Sequence, residues 1–386
     1  MKASSRPELN WFLPLGTDVR HIGTWPPEGE EPRLHHLVQV TEAAEQAGFA
    51  GLLVPTAYVN EAETWTAASA VLARTRSAKL ILAVRPNQLH PAQAAKMTAT
   101  LDYLFPGRVA LNVVTGGWGE DRWIGCYDDR ETRYQRVREW LEIVTQAWAG
   151  ADRYQGMTYA GKIYQLDGLS LYPPPDHDIP IYLSGSSAPA RQLSAEFADA
   201  ILIWADLPDA VAAEVSDIRQ RYAARRRAAT VLLRVHVVVR ESEEAAWREA
   251  DELISRVDPR VRETIEARSF SDSPGRDRQT DLGTGDLMVG PNLWAGPGTG
   301  RFGVATALVG DPSQIVDRLM EYRAAGVDGF ILSGYPKLRE ARQFGRLVTR
   351  LFLDTDRARR RDGQATDEDS PRPSPSTVES VVAQVP

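Results

Sequence analysis

The stretch TVLLRVHVVVRESEEAAW, Thr230 to Trp247, reads as a buried strand running into a helix, yet Arg234 and His236 stand in its middle. Residues two apart on a strand share a face. Arg234 and His236 therefore point one way, and Leu233, Val235, Val237 and Val239 fill the other. If the apolar face packs against helices, the two polar side chains look into a sheet or barrel interior, where cationic groups are costly unless an anion meets them. The alternative is a structural ion pair with a buried carboxylate.

Seven further apolar or β-branched runs surround this one: Leu9–Leu13, Gly51–Val54, Lys79–Val84, Val109–Val114, Ile181–Leu183, Ala200–Ile203 and Gly329–Leu332, with Leu232–Val239 as the core of the opening strand. Between them lie segments of helical period, such as HHLVQVTEAAEQAG, HPAQAAKMTATLDYL, RYQRVREWLEIVTQAWAG, PDAVAAEVSDIRQRYAARR and PSQIVDRLMEYRAAGVDG. Eight strands alternating with helices, many apolar on both faces, predict a parallel (β/α)8 TIM barrel; a doubly wound sheet is the runner-up. Residues 1–354 are expected to form that barrel. Two insertions interrupt it, near 150–180 with a small hairpin and near 257–304, rich in Gly, Arg and Asp. Residues 355–386, dense in charge, Pro and Ser, are expected to be a disordered tail.

Composition narrows the function. The chain of 386 residues is 43% hydrophobic and 25% charged, and 45 basic against 52 acidic side chains give a formal charge of -7, which argues against nucleic acid as partner. No signal peptide and no membrane-spanning run is legible, so the expectation is a cytoplasmic protein without a membrane partner. A lone cysteine, Cys126, rules out an internal disulfide and a Cys-rich metal site.

In such barrels the chemistry sits at the C-terminal ends of the strands. The fourth strand ends in NVVTGGWGE, where Asn112 and the following glycines let a ligand approach the backbone or simply make a tight turn. The fifth ends in SGSS, where Ser186 and Ser187 lead into a helix whose N-terminus suits a phosphate, although serine is also a common N-cap. Arg301, on the glycine-rich GPGTGRFG, and Tyr335, in FILSGYP, would join Arg234 and His236 at one rim.

Taken together, WFLP, LAVRP, NVVTG, RYQ, SGSS, RVHVVVRE, PNLWAG, TALVGD and LSGYP resemble the flavin-dependent monooxygenases of the bacterial luciferase superfamily, over about residues 10–352, and within it the alkanesulfonate monooxygenases. The resemblance implies a barrel that takes reduced FMN from a separate NAD(P)H:FMN reductase. It uses dioxygen to oxidise a small anionic substrate, a sulfonate, to sulfite and an aldehyde. It implies catalytic roles for Arg234, His236, Arg301 and Tyr335: the two arginines as a fork for the sulfonate, His236 titrating near neutral pH as acid or base, and Tyr335 as a hydrogen-bond donor to the oxygenated flavin. Asn112, Arg133, Tyr134, Ser186 and Ser187 match the positions that hold the cofactor, and His21, Asn60 and Trp204 match the substrate pocket. It further implies a homodimer or homotetramer.

One departure stands out: PTAYVNEAETW, Pro55 to Trp65, places Asn60 or Glu61 where the sulfonate enzymes commonly carry a cysteine. That substitution opens the same oxygen chemistry to a sulfone, a sulfonated sugar, an amide or a heterocycle. Trp118 and Trp123 are additions at the mouth, as pocket walls or lid packing. From another class comes a flavin-binding barrel without turnover.

Overall fold

A computed structural model of the chain describes residues 6–58, 61–116, 119–150, 156–267, 274–284 and 286–368. Eight parallel strands close into a barrel: β1 (Glu8–Phe12), β2 (Gly51–Val54), β3 (Lys79–Val84), β4 (Val109–Val114), β5 (Ile181–Ser184), β6 (Ala200–Trp204), β7 (Thr230–Val239) and β8 (Gly329–Ser333). Each pairs with its sequence neighbours, and β1 pairs with β8 to shut the ring. These are the eight runs expected from the sequence. The barrel is filled by Leu53, Ile81, Ala110, Tyr182, Ala200, Leu202, Leu232 and Ile331.

That interior cluster settles the orientation of β7. Leu232 points inward, so Arg234 and His236 follow it inward at the next two alternations. Leu233, Val235, Val237 and Val239 belong to the outer core against the helices. Each of these outer side chains is almost fully buried, a contribution of about 1.5–3 kcal/mol apiece.

β7 is longer than its neighbours, and that length creates a second docking edge. Its first half, to Arg234, lies beside β6. Its second half, from His236, lies beside a ninth parallel strand, Ala307–Gly310, which is absent from the sequence reading because four residues between glycine-rich flanks leave little period to detect. Leu293–Trp294 and Met288–Gly290 extend this edge antiparallel. The insertion near 257–304 also holds two helices, Pro259–Ala267 and Pro274–Thr284.

The other insertion carries the expected hairpin, Met157–Ala160 against Gln165–Leu169. Glu139, on the helix Arg130–Ala149, holds its turn by accepting from the amides of Lys162, Ile163 and Tyr164 at 2.9, 2.9 and 3.0 Å. At the C-terminus a helix runs Arg350–Glu368, across the start of the segment expected to be a disordered tail. Phe352 is fully buried edge-on to Phe330, and Asp356, 2% exposed, accepts from Arg323 and pairs with Arg360. This i, i+4 spacing of Phe352, Asp356 and Arg360 is hidden in the sequence by the surrounding charge. Residues 369–386 lie outside the described residues. Among the described residues no helix is long and apolar enough to cross a membrane.

Candidate active site at the barrel mouth

The register of β6, β7 and β8 assembles the site. Trp204 and Ile331 are the partners of Arg234, and Ser333 is the partner of His236. Arg234, 4% exposed, donates through Nη1 to the carbonyls of Val235 (2.9 Å) and Ile331 (3.3 Å) and through Nη2 to Ser333 Oγ (2.8 Å). Its guanidinium carbon lies 5.0 Å from the centroid of Phe12, close enough for a cation–π contact. Arg301 reaches in from the 257–304 insertion. It donates through Nε to the Phe302 carbonyl (3.0 Å) and through Nη1 both to His236 Nε2 (3.1 Å) and to the Tyr335 hydroxyl.

These contacts fix the imidazole tautomer. Arginine only donates, so His236 Nε2 is the acceptor and Nδ1 carries the proton. Nδ1–H then donates to Ser333 Oγ at 2.7 Å. Ser333 accepts from both Arg234 and His236, which leaves its own hydroxyl proton to give. Lys337 completes the cluster, its Nζ 3.8 Å above the Tyr335 ring and 3.8 Å from Asp18 Oδ1. Asp18 in turn accepts from the amides of Lys337 (2.7 Å) and Leu338 (3.3 Å) and contacts His36 Nε2 at 3.0 Å.

The electrostatics follow from burial and from an excess of positive charge. Burial first, then Arg234, Arg301 and Lys337, drive the His236 imidazole well below its ordinary value. The expected titration near neutral pH is therefore corrected: His236 is a neutral, oriented donor and acceptor. Burial, then Arg301, lower the Arg234 guanidinium to about 9, so it remains a cation at neutral pH. Burial pushes the Tyr335 phenol up, but Arg301, Lys337 and Arg234 outweigh it and hold the phenol below the usual range. Among the described residues, neither Arg234 nor Arg301 forms an ion pair with a carboxylate, so the structural ion pair that competed with an anion site is not found for either.

The remaining sequence-predicted residues fall into groups. Asn112, 3% exposed, accepts from Ser184 Oγ at 2.8 Å inside the ends of β4 and β5. Beyond those strands, Gly116 (φ +79°) and Gly185 (φ +152°) take backbone conformations that favour glycine. Tyr134 and Ser187 are brought together, their hydroxyls sharing a hydrogen bond at 2.5 Å, and Ser187 caps the helix Ala188–Phe197. Ser186 and Trp204 both border Gly275 at the start of the insertion helix. Arg133 donates to the Asp128 carbonyl at 3.3 Å. His21 contacts Glu252 Oε1 at 2.7 Å, a bond to an outer helix and not to the Arg234 cluster. Asn60 and Trp118 lie outside the described residues, and Trp123 is 63% exposed.

Several functional candidates escaped the sequence reading. Arg85, 2% exposed, donates to Glu120 Oε2 (3.1 Å) and to the Thr56 carbonyl (2.9 Å) at the end of β3. Both polar atoms of the Asn87 side chain are buried with no hydrogen-bond partner among the described residues, as is Glu61 Oε2. The only signal available in the sequence for Arg85 and Asn87 was position, after β3 at the active end of the barrel; Glu61 is one of the two residues that the sequence sets in place of the family's cysteine.

A family model described as luciferase-like monooxygenase matches residues 17–329. Among solved structures, a riboflavin lyase (RcaE) determined with modified FMN and riboflavin superposes with a TM-score of 0.76 at 18% identity, covering 91% of this chain and 92% of that one. DmoA from Hyphomicrobium sulfonivorans gives 0.74 at 19% identity, with 92% and 89% covered. A long-chain alkane monooxygenase (LadA) gives 0.73 at 19%, with 92% of each chain covered. At these identities the structural likeness speaks for the fold.

Proposed function

The chain belongs to the luciferase-like monooxygenase family, and from that premise we propose that it is the oxygenase of a two-component system that takes reduced FMN from an NAD(P)H:FMN reductase and oxidises an organosulfonate. One oxygen atom of dioxygen goes to the aldehyde product and the other to water. The carbon–sulfur bond breaks to release sulfite, and the flavin provides two electrons. The observation that carries this reading is the paired guanidinium groups of Arg234 and Arg301, buried or partly buried beside Lys337, with no carboxylate bound to either arginine among the described residues. A permanent, three-oxygen anion is the complement of that fork.

The residues present fit a flavin. The amide of Asn87, without a partner among the described residues, offers both a donor and an acceptor, as the polar edge of the isoalloxazine requires. Asn112 with Ser184, and Ser187 with Tyr134 at a helix N-terminus, present polar groups for the ring and the phosphate. When bound, reduced FMN supplies electrons and the activation of dioxygen. In this reading Arg301 and Arg234 orient the anion, and Tyr335 donates a hydrogen bond towards the reacting oxygen. His236 holds Arg301 in place through its neutral Nε2, and Trp204 forms the adjacent wall. We include in the proposal a single barrel domain over residues 1–354 and a homodimer or homotetramer.

Incubation with a flavin reductase, NADH, FMN and a panel of sulfonates tests the reading: sulfite from at least one member is expected, and none from any would remove the substrate assignment. Asn60 or Glu61, standing where the sulfonate enzymes commonly place a cysteine, favours a second reading, in which a sulfone, sulfonated sugar, amide or heterocycle is oxygenated. A sulfite-free oxygenated product, seen by mass spectrometry, would select it.

A further inference from the structure

Glu61 is held at the mouth by its surroundings. The segment that follows β2 is tied down by Thr64 Oγ1 donating to the Pro55 carbonyl (2.6 Å), by the Tyr58 amide donating to Glu120 (3.1 Å), and by the Ala62 amide donating to the Leu15 carbonyl (2.8 Å). As a whole the residue is only partly buried, but its Oε2 is shut off from solvent and has no hydrogen-bond partner among the described residues. The charged groups that act on it come from four different elements. They are Arg301 of the long insertion, Arg85 after β3, Lys337 after β8 and Glu120 of the turn Gly119–Ile124. A buried carboxyl oxygen with no partner is destabilising, and a fold tolerates it most readily where a ligand completes the bond.

Resting on the anion site proposed above, we propose that Glu61 is a proton-gated third anchor: its neutral carboxyl donates a hydrogen bond to the anion held by Arg301, so that anion binding takes up a proton at Glu61. The bond runs from carboxyl O–H to a substrate oxygen, and the proton comes from solvent. An ionised Glu61 would instead repel the anion and compete with it for Arg301. In the free protein burial pushes the carboxyl up to about 7, with Glu120 adding to the rise and Arg301, Arg85 and Lys337 opposing it. An anion placed on Arg301 cancels part of that opposing field and drives Glu61 further towards its neutral form. Glu61 therefore sets a pH limit on substrate capture and favours acceptor-rich anions over cationic or donor-rich ligands.

Calorimetric titration of the full chain, alone and with photoreduced FMN under nitrogen, using ethanesulfonate, octanesulfonate and sulfate, counts the protons taken up when run in two buffers of different ionisation enthalpy. Wild type is expected to take up a proton fraction between about 0.5 and 1 near pH 7.5, and its affinity to fall towards tenfold per pH unit above pH 7. Glu61→Gln, which stays neutral and keeps a donor, is expected to bind without that uptake and with a flat affinity from pH 6 to 8. Anion binding without proton uptake in wild type, or uptake that persists in Glu61→Gln through His236, Tyr335 or Lys337, overturns the role of Glu61 and leaves the anion site standing. Absence of binding by all three anions in both forms overturns the anion site, and this inference with it.

Discussion

Replacing Arg301 by alanine should separate substrate capture from cofactor binding. The guanidinium has five N–H groups: Nε is spent on the Phe302 carbonyl, and Nη1 on His236 and Tyr335. The two Nη2 hydrogens have no partner among the described residues and are the pair available to an anion. At about 1.5–3 kcal/mol for each charge-assisted bond, their loss is worth about 3–6 kcal/mol, or roughly 10²- to 10⁴-fold in kcat/KM. Reduced-FMN affinity should change by less than about threefold, because Asn112, Tyr134 and Ser187 are bonded to partners other than Arg301. Sulfite release gives the first quantity and anaerobic titration of flavin fluorescence the second. An equal loss of both, or a loss of flavin affinity alone, refutes the division of labour.

Three further substitutions probe the scaffold of the site. Ser333→Ala removes the shared acceptor of Arg234 Nη2 and His236 Nδ1, and should cost about 2–4 kcal/mol of stability in urea unfolding; an unchanged midpoint would contradict the network. Asp18 is pushed up by burial, but His36 and Lys337 bring its carboxyl net below 3.8, so its contribution is present above that pH and lost as pH falls through the folded value. Asp18→Asn should therefore cost about 2–3 kcal/mol at pH 7 and progressively less as pH falls below 3.8, and a pH-independent difference would exclude the ion-pair account. Glu61 has the opposite sign: its folded value of about 7 lies above the ordinary 4.5, so wild type loses stability as pH rises between the two. At 1.36 kcal/mol per unit, Glu61→Gln should be more stable than wild type by up to about 3 kcal/mol at pH 8 and nearly equal to it at pH 4. A constant difference in unfolding free energy across that range would show that Glu61 is not titrating there.

The barrel was legible because its strands are apolar on both faces and its helices carry a clear period; alternation put Arg234 and His236 on one face, and the count of eight strands made that face the barrel interior. What alternation does not carry is the edge beyond β7. Ala307–Gly310 is too short to show a period, and its place beside His236 depends on a pairing across some seventy residues of sequence. The partners of the site were hidden for a related reason. Ser333, Lys337 and Asp18 have no unusual local context, and only closure of β8 onto β1 and β7 brings them to the cations. The titration of His236 was misread because its isolated value gives no hint of three neighbouring cations in a dry interior. The helix continuing to Glu368 was missed because charge density masks its anchor, Asp356.

In the proposed function, Arg234 and Arg301 present an anion to oxygen chemistry in the barrel mouth. A single-turnover measurement tests it most directly: the protein with stoichiometric reduced FMN and a sulfonate from the panel is mixed with air-saturated buffer, and sulfite is counted per flavin oxidised. A yield approaching one is expected for wild type, and flavin oxidation without sulfite for Arg234→Ala and Arg301→Ala. Flavin oxidation with no sulfite from wild type, or an undiminished yield in both variants, would contradict it.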